Sequence, residues 1–118
     1  MFWTLLKIAF IILILDALYI TSYGEAFKKQ IYNIQGSVLQ VKALGAFLCY
    51  ILMTWGLYYF IIREKRSLID AFLLGILVYG VFDTTNYALF KKWSGMIGLI
   101  DTLWGGILFG LTAYIMYL

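Results

Sequence analysis

The stretch ILVYGVFDTTNYALFKKWSGMIGLIDTLW, residues 76–104, decides how this chain folds. Two apolar runs meet at one short polar break, KKWS. Each run continues outward, to about Leu68 on one side and about Tyr117 on the other, so each is long enough for the ~20 residues that carry a helix across a bilayer. A break this short joins only antiparallel neighbours. The same logic extends toward the N-terminus. REKRS, residues 63–67, separates the third run from a second at about Leu39–Ile62, and the segment Gly24–Val38 separates that from a first at about Trp3–Tyr23. The sequence therefore predicts an all-α membrane protein, an antiparallel four-transmembrane-helix bundle. It forms a single integral membrane domain over residues 1–118, with helices at about 3–23, 39–62, 68–90 and 95–117.

Composition agrees. Of the 118 residues, 64% are apolar and only 13% charged, against roughly 25% charged in soluble domains. There is no proline and no histidine. Without histidine the chain lacks the usual general base, the commonest metal ligand and the near-neutral pH switch. The single cysteine, Cys49, is expected as a small packing residue, because one thiol builds neither an intrachain disulfide nor a zinc site. No metal or cofactor is expected. The net charge of +3 is spread over residues between the apolar runs, as loop anchors are. They form no stripe suited to nucleic acid, which is not an expected partner.

The first run has Lys7 before an apolar core but lacks a small-residue cleavage site, and Asp16 interrupts it, so it reads as a retained helix rather than a signal peptide. In the following segment Phe27, Ile31 and Ile34 recur at helical spacing, with Lys28, Lys29 and Gln30 elsewhere on the wheel. Two readings stand here: a short helix lying in the membrane interface, and an irregular polar loop. Trp3, Trp55, Tyr58 and Tyr59 read as interface-belt or packing residues. The REKR cluster sits directly at helix ends and places both termini on the cytoplasmic side.

Glu25 and Glu64 fall in connections, and Asp70 opens the third helix, where a carboxylate favours the helix dipole. Asp16, Asp83 and Asp101 fall inside three different spans. At 1.5 Å per residue each lies about 10 Å below the same membrane surface. Polar residues share their faces: Tyr19 and Tyr23 with Asp16; Tyr79, Asn86 and Tyr87 with Asp83; Ser94, Gly98, Trp104 and Gly105 with Asp101. Tyr50 on the second helix closes the ring. An intramembrane carboxylate faces the bundle interior or a wet cavity. With no Lys or Arg at their depth, at least one acid is expected to be protonated or to hold a cation. The candidate binding residues are Asp16, Tyr79, Asp83, Asn86, Asp101 and Trp104; no catalytic residue is assigned. The structural alternative is a hydrogen-bond network that locks helices together without a ligand. Gly106 and Gly110, spaced G-x-x-x-G, offer a further face for close packing or for a homodimer.

The elements LDALY (15–19), VFDTTNYAL (81–89), Trp93 and DTLWGGIL (101–108) resemble a family of small four-helix membrane proteins known as domain of unknown function 2177, with members in bacteria and large DNA viruses. The resemblance covers essentially the whole chain and falls on Asp16, Tyr79, Asp83, Thr85, Asn86, Trp93, Asp101, Trp104 and Gly105. It implies the four-helix fold and the polar cluster, and no activity. Three classes of function follow. One is a carrier or binder of a proton, cation or cationic small molecule. Another is a structural or accessory membrane protein with virion-membrane or lipid-modifying-complex partners. The third, a membrane enzyme, is least favoured, since histidine and paired cysteines are missing. The bilayer is the partner common to all three.

Overall fold

The computed structural model describes residues 1–37 and 41–118. Four helices follow in order: α1 (Phe2–Gln35), α2 (Ala43–Leu57, continued by a π-helical turn Tyr58–Ile62), α3 (Leu68–Leu89) and α4 (Gly95–Met116). No strand occurs among the described residues. All four are long and apolar enough to cross a membrane, α2 together with its π turn. Large apolar side chains such as Phe10, Leu18, Phe47, Leu77 and Val81 lie exposed on the outside of the bundle. The acids Asp16, Asp83 and Asp101 lie buried within it. Apolar outside and acidic inside is the arrangement that a hydrocarbon solvent selects.

The connections show why the helices begin where they do. Ser67 caps α3 by accepting a hydrogen bond from the Asp70 N–H at 3.1 Å, and Asp70 pairs with Arg66 at 3.0 Å. Ser94 caps α4 by accepting from the Ile97 N–H at 3.2 Å. Each serine satisfies one of the donors that a helix start leaves open.

The first helix departs from expectation. It continues past Tyr23 for another 12 residues, to Gln35. It ends at Gly36, whose φ of 74° is the left-handed C-cap conformation, with its N–H bonded to the Tyr32 carbonyl. Phe27, Ile31 and Ile34 are half-buried while Lys28 and Lys29 are exposed, so the amphipathic spacing is real but belongs to an extension of α1, not to a separate interfacial helix. The extension covers the α3–α4 turn: the Phe27 ring meets Trp93 edge-on at 5.8 Å, and Gln30 Oε1 accepts the Ser94 backbone N–H. The expected start of the second span at Leu39 lies outside the described residues.

Helices α3 and α4 form the tightest pair, and α1 lies against both α2 and α4. A Cβ at Gly75 would sit 2.1 Å from the Gly105 carbonyl oxygen, so the two backbones touch there. The apolar core comprises Ile8 and Ile12 of α1, Met53, Leu57 and Ile61 of the second span, Ala71 of α3, and Leu108, Phe109 and Ala113 of α4. This core fills the half of the bundle toward the α2–α3 turn. The acids occupy the other half.

One local expectation is corrected: Cys49 is exposed on the outside of α2 rather than packed inside. Of the two uses expected of the Gly106–Gly110 face, close packing is the one Gly106 serves: it faces Phe72 and Ile76 of α3, with a Cβ there only 2.8–2.9 Å from them. Gly110 faces Leu68 and Phe72 more loosely, at 3.9 Å.

Candidate functional site

Asp16 shares a stripe of α1 with the core residues Ile8 and Ile12, at i, i+4, i+8. The packing that buries those isoleucines carries the carboxyl inward. Its Oδ1 accepts from the Trp104 indole N–H at 3.1 Å, and its Oδ2 accepts a short hydrogen bond from the Tyr50 hydroxyl. One carboxyl thus ties α1 to α2 and to α4.

One turn along α1, the Tyr19 hydroxyl donates to Asp101 Oδ1 at 3.1 Å. The Tyr19 ring lies flat on Trp104, with centroids 4.8 Å apart and planes 3° from parallel. Asp101 shares a face of α4 with Gly98 and Gly105, both buried. Those missing side chains let α3 come close: the Tyr79 ring packs directly over Gly105, where a Cβ would lie 2.3 Å from its Cγ.

Asp83 faces α4 from α3 and is 3% exposed. Its Oδ2 accepts from Thr102 Oγ1 at 3.0 Å, a contact that brings the Asp83 carboxyl beside Asp101, the preceding residue on α4. None of the three acids makes an ion pair among the described residues, and no three acidic or cysteine side chains there come together as metal ligands.

The polar groups thus form a string across all four helices. It runs from Tyr50 through Asp16 to Trp104, across the Tyr19–Trp104 stack to Asp101, and on to Asp83 and Thr102. Asp16, Asp83, Asp101 and Trp104 are part of it. Tyr79 is half-buried, edge-on to Phe109 at 6.5 Å, and its hydroxyl makes no hydrogen bond among the described residues. Asn86 is half-buried, again with no side-chain hydrogen bond there, and Tyr87 is largely exposed. Thr102 has no signal in the periodicity, because it neighbours Asp101 on the wheel and reaches Asp83 only through the sideways placement of α3.

Beside Asp83 a cavity of about 300 Å³ opens between α3 and α4, with Thr84, Tyr87, Trp93, Gly98, Leu99 and Thr102 among its walls. Two of its lining residues each carry a buried polar atom with no partner among the described residues: Asp83 Oδ1, an acceptor, and Trp93 Nε1, a donor.

Fold and site together define a polytopic helical membrane protein with a buried carboxyl string. The chain belongs to the family described as predicted membrane protein, DUF2177, whose sequence model matches residues 1–118. No curated protein and no solved structure matches it.

Proposed function

We propose that Asp83 and Asp101 form a proton-binding pair in a four-span membrane protein that binds or carries a proton, alone or in exchange for a cationic small molecule. The observation that carries this reading is that two buried carboxyls, linked through the Thr102–Asp83 hydrogen bond, lie side by side with no ion pair to either among the described residues. A proton is the smallest charge that fits between them. It is also exchangeable, because Asp83 borders a cavity that reaches the outer face of the α3–α4 pair. The access side is that of the α3–α4 turn, since both acids sit nearer that surface.

The helix-locking reading fits Asp16 better. Both of its oxygens already accept from neutral donors on two other helices, so its hydrogen bonds join three helices without a ligand. An accessory or structural role for the whole protein would follow if all three acids behaved in this way. Proteoliposomes holding a pH-sensitive dye separate the two. Under an imposed membrane potential, Asp83→Asn and Asp101→Asn are expected to lower proton uptake at least tenfold while remaining folded, and Asp16→Asn to retain it. If all three variants take up protons like the parent, the acids are structural.

A further inference from the structure

The cavity beside Asp83 has a chemistry more specific than that of a generic cation site. Trp93 is 5% exposed and Asp83 is 3% exposed. The Trp93 ring packs at right angles to Phe27 and Phe82, at 5.8 and 6.1 Å between ring centroids, and its indole N–H has no hydrogen-bond acceptor among the described residues. An unpaired buried donor and an unpaired buried acceptor each cost about 1–3 kcal/mol, so a native protein that keeps both on one wall has a partner for them. Gly98 fixes how near they are. The point where its Cβ would stand is 3.2 Å from Trp93 Nε1 and 3.6 Å from Asp83 Cβ. A side chain at Gly98 would therefore press on the indole N–H and lie against the acid.

We infer that this cavity binds the hydroxyl-bearing headgroup of an uncharged membrane lipid. The inference rests on the reading of Asp83 as a binding carboxyl. A hydroxyl donates to Asp83 Oδ1 and accepts from Trp93 Nε1 at once. An ammonium group or a metal ion would satisfy the carboxylate but leave the indole N–H unanswered and face the positive end of its dipole. An anion would answer the indole and be repelled by Asp83. The mouth indicates a lipid rather than a soluble solute. Tyr87 and Leu99 on its rim are exposed on the bundle's outer face, 64% and 55% respectively, and the hydroxyls of its two threonines, Thr84 and Thr102, are already bonded to Gly80 and Asp83. A volume near 300 Å³ suits a glycerol-sized headgroup with its first methylenes, and the remaining chain can lie along the outside of α3 and α4.

The test uses the full chain in phosphatidylcholine nanodiscs and a diacylglycerol with a photoactivatable diazirine close to the glycerol. Cross-linked residues are expected between Phe82 and Leu99. Unlabelled diacylglycerol should compete, and its O-acetylated analogue, which has lost the donor, should compete at least fivefold less well. Trp93→Phe is expected to lower labelling about five- to tenfold, as one lost hydrogen bond implies. Gly98→Ala, which sets a methyl group against the indole N–H and the acid, should abolish it. Thermal unfolding is recorded for each variant, and Gly98→Ala serves if Trp93→Phe fails to fold. Asp101→Asn removes the shared proton but leaves the cavity, so it should label normally. Failure of the proton reading therefore stays distinguishable from failure of this one. Equal competition by the acetylated analogue, stronger competition by a tetraalkylammonium amphiphile, or unchanged labelling of folded Trp93→Phe and Gly98→Ala would each overturn the assignment. The last result would leave ordered water as the partner of both groups.

Discussion

Asp16 and Asp83 differ in what surrounds the same functional group. Asp16 has a neutral donor for each oxygen, whereas Asp83 has Thr102, a neighbouring acid and one oxygen without a donor. Replacing Asp16 with Asn keeps one acceptor and should cost less than about 1 kcal/mol. Asp16→Leu strands the Tyr50 hydroxyl and the Trp104 N–H together, and about 1–3 kcal/mol of lost stability is expected. Thermal unfolding in detergent checks both, and an equal loss for the two variants would show that hydrogen bonding at Asp16 contributes nothing. Much at this scale is legible in the sequence: acids inside three apolar runs, and a depth calculation that puts them in one layer. What is not legible is the pairing. Spacing along one helix places Tyr79 and Asn86 on the face of Asp83, yet the donor that reaches Asp83 is Thr102 of the neighbouring helix. Helix rotation and sideways offset decide that contact, and neither follows from periodicity within one segment.

At the scale of elements, α3 and α4 are held together by glycines at points where backbones or rings touch. Gly75→Ala places a methyl group 2.1 Å from a carbonyl oxygen on the other helix. Backbone cannot yield cheaply there, so about 1–3 kcal/mol of destabilisation is expected. Gly45 has nothing within 4 Å, and Gly45→Ala should be neutral or stabilising by up to about 1 kcal/mol through helix propensity. Chemical or thermal unfolding of the pair decides; similar effects at both sites would mean that the contact at Gly75 does not hold the helices. The turns REKRS and KKWS mark the α3 and α4 starts in the sequence because serine caps and charges punctuate the apolar runs. The end of α1 carries no such mark at Tyr23. Amphipathic spacing resumes past Gly24, and the first left-handed glycine comes at Gly36. Removing the contacts of this extension by Gln30→Ala and Phe27→Ala should loosen the α3–α4 turn, seen as faster amide hydrogen exchange at Trp93 and Ser94. Unchanged exchange would show that the extension does not brace the turn.

For the whole molecule, four crossing helices put both ends of the chain on one side of the bilayer. The charge cluster at Arg63–Arg66 carries the sequence expectation that this side is the cytoplasm. Reporter fusions at each terminus should be active only in their cytoplasmic form, and export of either would reverse the orientation and the side from which the acids are reached. Seen across the bundle, the apolar core stiffens one half, while the other half holds polar groups linked from α2 to α3. That division leaves an apolar end and a polar end, and the proposed function depends on one proton being shared at the polar end by Asp83 and Asp101. Infrared titration of the carboxyl C=O stretch in nanodiscs tests it most directly. Near neutral pH the wild type should show a protonated-carboxyl band that is lost in both Asp83→Asn and Asp101→Asn and kept in Asp16→Asn. A wild type without that band, or a band removed by Asp16→Asn alone, would contradict the shared proton.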